Sequence, residues 1–425
     1  MERSEVLFSL AYRSLKNRKL TSILTLLSLA LSVSLWVGIE HIRVGARESF
    51  SNTISQTDLI VGARGGSLQL LLYTVFHMGS PTANVSYESY DKIKTQPAVL
   101  WTIPISLGDS HRGYRVVGTN EDFYRQYRYR QDRHIEFEQG RAPADVFDVA
   151  LGSEVAQRLD YRLGQRIVIT HGLTRSQGIL DHDDKPFTLV GILRPTHTPV
   201  DRSLYITLEG IEAMHIDWKQ GAPPLKGQGV PAERIKKEEI KIEQITAFFL
   251  RTKARVQTLA LQRQINTFPE EPLMAVIPGV ALSELWNGIS YGEQVLKVVA
   301  LFVVIVGLVG MLMALYTSLN ERRREIAILR AVGVGPLKIM FLLVVESGLL
   351  TLVGSLLGIG LVYILIVLLQ PLVEQQFGLY LPVKTLTATE HLYVAGVVLA
   401  GLVVGLIPAW KAYRNALSDG LSIRI

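Results

Sequence analysis

Long apolar runs separated by ordinary polar sequence set the plan of this chain. Thr21 to Ile39 and Val298 to Asn320 carry no charge, Ile339 to Val373 carries a single acid, Glu346, and Leu392 to Trp410 is again uncharged. A helix needs about 20 mostly apolar residues to cross a hydrocarbon layer of about 30 Å, and a buried core helix rarely reaches such a length without a charge. Each run therefore predicts a transmembrane helix. Lys and Arg gather on one side of these runs: Arg3, Arg13, Lys16, Arg18 and Lys19 precede the first, Arg322, Arg323, Arg324, Arg330 and Lys338 lie between the second and third, and Lys411, Arg414 and Arg424 follow the fourth. The segment Glu374 to Thr389 has only Lys384. The positive-inside bias then predicts cytoplasmic termini and a cytoplasmic middle loop, with the region from about His41 to Gln294 outside. The first run is longer than a signal-peptide core and lacks a small-x-small cleavage site, so it reads as an uncleaved anchor. The preceding stretch, Phe8 to Leu20, has Phe8, Ala11, Tyr12 and Leu15 at helical spacing and reads as an interfacial amphipathic segment.

The long polar region changes period repeatedly. Ser86 to Thr95, Ser153 to Leu159 and Arg255 to Asn266 read as helices. Arg115 to Gly118, Arg166 to Thr170, Phe187 to Leu193 and Ser203 to Thr207 read as strands bounded by turn residues. The expected fold class is thus a membrane α-helical protein with four transmembrane helices and an α+β extracytoplasmic domain between helices 1 and 2. Glu40 to Gln56 and Leu282 to Lys297 continue the membrane helices outward as stalks. Lys219 to Lys241, rich in Lys, Gly, Pro and Glu, is expected to be a mobile insertion, and Leu68 to Phe76, after Gly62-Ala63-Arg64-Gly65-Gly66, to close the core. The expected boundaries are 1–20 for the cytoplasmic N-terminus, 21–42, 294–320, 337–373 and 391–411 for the membrane helices, and 43–293 for the outer domain. The remaining segments are 321–336 for a cytoplasmic helix, 374–390 for a short periplasmic loop and 412–425 for the tail.

Composition narrows the chemistry. Of 425 residues 48% are hydrophobic and 19% charged, against about 25% charged in soluble domains, and the deficit sits in the four runs. The absence of cysteine removes disulfides, thiolate metal sites and cysteine nucleophiles. A net charge of +6 reflects the cytoplasmic flanks, so no nucleic-acid partner is expected. No G-x-x-x-x-G-K-[ST] sequence occurs, so the phosphate cradle of an ATPase is absent. His171, Asp181-His182-Asp183-Asp184 and His197 have a spacing that matches no metal motif and read as a solvated loop, so no metal ligand is assigned. No G-x-S-x-G or H-E-x-x-H pattern marks a catalytic centre, and the chain reads as a non-enzyme.

Four motifs in order carry a resemblance. Ala11-Tyr12-Arg13-Ser14-Leu15-Lys16-Asn17-Arg18-Lys19 leads into the first helix. Asn320-Glu321-Arg322-Arg323-Arg324-Glu325-Ile326-Ala327-Ile328-Leu329-Arg330-Ala331-Val332-Gly333 follows the second. Glu346 to Gly360, with Gly348, Gly354, Gly358 and Gly360, forms the third, and Pro408-Ala409-Trp410-Lys411-Ala412 closes the fourth. Gly140-Arg141, Ala150-Leu151-Gly152-Ser153 and Leu189-Val190-Gly191-Ile192 accompany them outside the membrane. The chain resembles the MacB/FtsX-type ABC transporter permeases, including the LolC/LolE-like lipoprotein-releasing subunits, over nearly its whole length. The resemblance implies a bacterial inner-membrane permease subunit working with a separate ABC-type ATPase, which holds the ATP and Mg. It also implies a homodimer and a periplasmic or lipoprotein partner. The implied function is mechanotransmission that exports or releases a lipoprotein, peptide or other hydrophobic substrate. The alternative is an FtsX-like signalling permease that activates a periplasmic cell-wall hydrolase.

The segment after helix 2 has its own physical logic. Glu321 and Arg324, and Arg322 and Glu325, are three apart on a helix and pair acid with base. Ile326, Leu329 and Val332 form an apolar stripe, and Gly333 and Gly335-Pro336 end the helix. With the resemblance, Glu321, Arg322, Arg323, Arg324, Glu325, Ile326, Leu329 and Arg330 are the expected ATPase-coupling residues. Glu346 is an intramembrane acid, expected to act structurally or at the interface rather than as an ion pathway. Gly354 and Gly358 have small-x-x-x-small spacing and are expected to pack helices, within one chain or across a dimer.

Overall fold

In the computed structural model the apolar runs are cores of longer helices. The structure describes residues 19–130, 132–171, 184–218, 230–321, 328, 330–377 and 383–418. Helix α1 spans Lys19–Thr53, and the chain then enters the inserted domain. That domain's helices are α2 (Ser67–Val75), α3 (Tyr87–Lys94), α4 (Glu121–Gln126), α5 (Ser153–Leu159), α6 (Leu208–His215) and α7 (Arg255–Asn266). Three long helices follow, α8 (Pro278–Glu321), α9 (Pro336–Phe377) and α10 (Ala388–Ser418). With α1 they are four helices long and apolar enough to cross a membrane. The expected stalk Leu282 to Lys297 is thus an uninterrupted part of α8, whereas Glu40 to Gln56 is helical in α1 only as far as Thr53. The expected loop 374–390 is entered by helix from both sides, α9 reaching Phe377 and α10 starting at Ala388. The chain divides into two compact units: Ala46–Ile289 forms the body of one, and the stretches up to Gly45 and over Ser290–Leu372 belong to the other.

The inserted domain is built on one mixed sheet. Its main strands are β1 (Leu59–Ala63), β2 (Val99–His111), β3 (Tyr114–Thr119), β4 (Phe137–Gly140), β5 (Asp148–Leu151), β6 (Phe187–Leu193), β7 (Ser203–Thr207), β8 (Ala247–Thr252) and β9 (Leu273–Val276). They lie in the order β9-β1-β8-β2-β3-β7-β5-β6-β4. All neighbours are antiparallel except β7 beside β3 and β6 beside β5. The sequence's single strand Arg166 to Thr170 is two short ones: Arg166–Ile167 pairs with β6, and Thr170–His171 pairs with β2. A chain segment that changes partner cannot keep one period.

Alternation places the core. Side chains of a strand point to opposite faces in turn, and here both faces are covered. Ile60 and Phe249 join Leu70 and Leu71 of α2 in one cluster. Leu59, Val61, Phe248 and Leu250 join Tyr90 and Ile93 of α3 and Leu261 and Ile265 of α7 in another. The apolar run Leu68 to Phe76 therefore belongs to the core. A third cluster holds Val149, Leu151, Phe187, Leu189, Leu204 and Ile206 against Val155 of α5 and Met214 of α6. Residues 230–241, read as part of a mobile insertion, carry 3-10 turns at Ala232–Arg234 and Lys237–Glu239. Lys237 donates to the Ala144 carbonyl at 2.9 Å, a fixing that composition does not reveal. Residues 219–229 lie outside the described residues.

Three sequence motifs of this domain meet at one place. Gly191 on β6 pairs with Gly140 of β4 on one side and Ala150 of β5 on the other. Gly140 has φ 78°, and a Cβ there would lie 2.0 Å from the Val190 carbonyl oxygen. A Cβ at Gly191 would lie 2.2 Å from the Arg141 oxygen. The glycines let three strands approach where side chains would collide. Arg141 then bonds Asp148 at 2.7 Å and closes the corner.

His77 gives the domain an acid-sensitive point. Its Nδ1 shares a hydrogen bond of 2.7 Å with the Ser203 hydroxyl. Enclosure of the ring, and then the nearby Arg115 guanidinium, push its pKa down to about 3 from 6.5. The unfolded chain binds a proton near the ordinary value and the native domain does not, so this contribution is complete above pH 6.5 and declines as pH falls toward 3. The slope is at most about 1.4 kcal/mol per pH unit. Thermal unfolding between pH 7 and 5 is expected to be less pH-dependent in His77→Gln than in the parent; equal slopes would remove His77 as the cause.

Candidate functional site

The membrane helices are held by small residues along their seams. Gly354 and Gly358 of α9 are buried against α1: a Cβ would stand 2.8 Å from Leu29 Cβ at the first and 2.6 Å from the Ala30 carbonyl oxygen at the second. This seam lies within one chain. Gly307 of α8 meets Ser32 of α1, whose hydroxyl lies 3.2 Å from the Val303 carbonyl oxygen. Gly401 and Gly405 of α10 face Thr351 and Ser347 of α9. Without a hydrophobic drive between helices in lipid, such close approach is what holds a bundle. Glu346, on the same turn of α9 as Ser347, is buried.

At the end of the bundle where α1 and α8 lead to the inserted domain, the seam becomes ionic. Glu40 of α1 is 3% exposed. Arg43 donates to it twice, at 2.5 and 3.1 Å, and also reaches Glu293 of α8 at 3.2 Å. Lys297 of α8 bonds Glu293 at 2.7 Å and lies 3.6 Å from Glu40. Two acids and two bases thus form a neutral clasp between α1 and α8. A carboxylate this buried persists because it is paired. Glu40 and Arg43 lie five residues or fewer before one unit boundary, and Glu293 and Lys297 lie just after the other.

A second joint ties α1 to α10. Thr387 and Glu390 form a capping box: the Thr387 amide and hydroxyl donate to Glu390 Oε2 at 2.6 and 2.9 Å, and the Glu390 amide donates to Thr387 Oγ1 at 3.3 Å. This fixes the start of α10 and presents the other carboxylate oxygen to His41 of α1, 3.5 Å away. Trp36 stacks on Tyr393 one turn along, centroids 4.2 Å apart. The pattern Thr387-Ala388-Thr389-Glu390 is a legible cap in the sequence. The cross-helix partners are not.

At the opposite end α8, α9 and α10 converge. Leu319 of α8, Leu343 of α9, and Ala409 and Ala412 of α10 form one buried cluster. Lys411 bonds the Tyr316 hydroxyl and lies 4.0 Å from the centre of its ring. The closing motif therefore sits beside the end of α8, where the charged segment begins. Of that segment, Arg322 to Ala327 and Leu329 lie outside the described residues, as does the Glu321 side chain. The Val332 amide bonds the Ile328 carbonyl, and the Gly333 amide bonds that of Arg330. Gly333, with φ 91°, ends this turn in the left-handed conformation that suits glycine. Ile328 and Val332 are exposed, at 64% and 79%.

The bundle thus shows buried ion pairs, close helix seams and, at one end, the exposed apolar residues Ile328 and Val332. Among the described residues of the bundle no nucleophile–base–orienter arrangement is seen.

Two family models match. Residues 22–268 fit the MacB-like periplasmic core domain and residues 297–417 the FtsX-like permease C-terminal domain. An uncharacterized ABC transporter permease of Methanocaldococcus jannaschii is 32% identical over 130 residues, 29% of this chain and 32% of that protein. The macrolide export ATP-binding/permease protein MacB of Photorhabdus laumondii is 33% identical over 119 residues, 28% of this chain and 18% of that protein. The matches thus span about a third or less of those relatives' lengths. Among solved structures, the periplasmic region of MacB from Actinobacillus actinomycetemcomitans aligns at TM-score 0.34 and 11% identity, over 55% of this chain and 95% of that one. The extracellular domain of the noncanonic ABC-type transporter YknZ from Gram-positive bacteria aligns at 0.29 and 11%, over 51% and 98%.

Proposed function

The chain belongs to the MacB/FtsX-type ABC transporter permeases, and on that premise we propose that it is a permease subunit that turns ATP hydrolysis by a separate ATPase into movement of its inserted domain. The observation that carries this is α8, one helix of 44 residues. At 1.5 Å per residue it is about 66 Å long, twice the hydrocarbon layer. It links the charged Glu321–Arg330 segment directly to the inserted domain. In this reading the termini and that segment are cytoplasmic and the inserted domain faces the periplasm across the bacterial inner membrane. ATP and Mg²⁺ reside in the ATPase, whose closure pushes on Arg322, Arg323, Arg324, Glu325, Ile326 and Leu329. The clasp of Glu40, Arg43, Glu293 and Lys297 makes α1 follow α8, so both connections to the inserted domain move together. Two such chains pair with two ATPase subunits, and the moving domains export or release a lipoprotein, peptide or other hydrophobic molecule.

The test is coupling. The double variant Arg323→Ala/Glu325→Ala is expected to weaken association with the ATPase at least about tenfold, equivalent to 1.4 kcal/mol, with the chain's own thermal stability unchanged. Undiminished association and undiminished stimulation of ATP turnover would refute the docking role. Co-purification of a cell-wall hydrolase in place of an export partner would assign the same motion to signalling.

A further inference from the structure

The inserted domain also brings together three side chains that their positions in the sequence do not suggest. Asp109, near the end of β2, is 2% exposed. His171 stands directly opposite it in the short strand Thr170–His171. His215, the last residue of α6, reaches the same point from a third element. His171 Nδ1 lies 3.0 Å from Asp109 Oδ1, His215 Nε2 lies 3.4 Å from His171 Nδ1, and His215 Nε2 lies 3.9 Å from Asp109 Oδ1. Three ligands at tetrahedral angles, 2.0–2.1 Å from a zinc ion, would be separated by about 3.3 Å. The observed separations bracket that value.

The surrounding bonds prepare the ligands. His215 Nδ1 lies 3.0 Å from the Ile211 carbonyl oxygen. A carbonyl can only accept, so Nδ1 carries the proton and Nε2 presents its lone pair to the cluster. Fixing the tautomer through the other ring nitrogen is how metal-binding histidines are oriented. The Trp218 ring packs 5.1 Å from His171 and 5.0 Å from His215 and holds both imidazoles in place. Among the described residues this is the one group of three or more potential ligands that converges. His197 is not part of it, Asp184 pairs with Lys185, and Asp181, His182 and Asp183 lie outside the described residues. The ligands are 62 and 44 residues apart, so spacing could not reveal them.

We infer that Asp109, His171 and His215 bind one divalent transition-metal ion of the zinc class. Two imidazoles and a carboxylate suit zinc, and hard cations such as Ca²⁺ and Mg²⁺ prefer all-oxygen sets. Three protein ligands leave a fourth position for water or for a donor atom from a partner. His171, 51% exposed in its side chain, puts the site within reach of one. This site is independent of the ATPase-coupling reading.

The experiment uses the full chain in detergent, purified without a histidine tag and stripped with chelator. Titration with Zn²⁺ alone is expected to give one ion per chain and a higher melting temperature, and Ca²⁺ to give neither. Co²⁺ is expected to give the intense visible bands of a tetrahedral site. Asp109→Asn, His171→Ala and His215→Ala are each expected to lose at least about 100-fold in Zn²⁺ affinity. Asp109→Asn keeps the side-chain shape, and the melting temperature of each metal-free variant separates ligand loss from misfolding. Absence of Zn²⁺ binding in the parent, or unchanged binding in a folded Asp109→Asn chain, would overturn the site and leave a hydrogen-bonded His–Asp cluster.

Discussion

Glu40→Ala is expected to destabilise the membrane unit by about 3 kcal/mol, the low end of the range for breaking a buried ion pair. Glu40 is 3% exposed, accepts two hydrogen bonds from Arg43 and is a neighbour of Lys297. Its removal leaves two cations sharing Glu293. The low end applies because the Arg43 and Lys297 side chains keep 30% and 35% exposure and regain some water. Denaturant titration of the full chain in micelles reads the loss. A cycle of Glu40→Ala with Lys297→Ala is expected to show a coupling energy of about 0.5–3 kcal/mol, as for residues in one network. Additive effects would mean that α1 and α8 are not clasped here. If the clasp transmits motion, Glu40→Ala also uncouples ATP turnover from transport while leaving ATPase association intact, the inverse of the Arg323→Ala/Glu325→Ala outcome. The two variants thereby separate docking from transmission.

The parts of this molecule legible in the sequence are those whose pattern is local. Four long apolar runs, three without a charge and one with Glu346 alone, announce four helices because lipid demands about 20 apolar residues in a row. Phe187–Leu193, Ser203–Thr207, Ser153–Leu159 and Arg255–Asn266 lie where period and turn residues place them. The order of the sheet is not local. β1 sits between β8 and β9, which follow it by nearly the whole domain, and no window of sequence contains that pairing. The candidate sites divide in the same way. Glu40 and Arg43 are three apart and Glu293 and Lys297 four apart, so each half of the clasp is an ordinary intrahelical pair. Only the fold reveals that the halves face each other. The Thr387–Glu390 cap is local and legible as Thr-x-x-Glu, so helix α10 begins inside the segment expected to be loop. The glycines of Gly140-Arg141 and Leu189-Val190-Gly191-Ile192 could be seen as motifs, but their reason, three backbones in contact, could not.

Gly358→Ala tests the other element that ties α1 into the bundle, and it is expected to cost about 1–3 kcal/mol, the usual penalty for overpacking. The added methyl would lie 2.6 Å from the Ala30 carbonyl oxygen and 3.0 Å from Val33 Cβ. The first is a backbone atom of α1 and cannot rotate away, so the helices must part. Parting them forfeits the van der Waals contact on which helix association in lipid depends. Gly360, two residues on, has nothing within 4 Å of where a Cβ would stand. Gly360→Ala therefore meets no obstacle and gains up to about 1 kcal/mol of helix propensity. The two substitutions are chemically identical and differ only in what the methyl touches, so helix propensity cancels from the comparison. A denaturation midpoint that falls for Gly358→Ala and holds or rises for Gly360→Ala locates the seam on the face shared by Gly354 and Gly358. Equal midpoints would refute the close contact between α1 and α9. The seam runs along the same α1 that carries Glu40, so loosening it is also expected to weaken the effect of Glu40→Ala in the double variant: a clasp between helices already parted has less to hold.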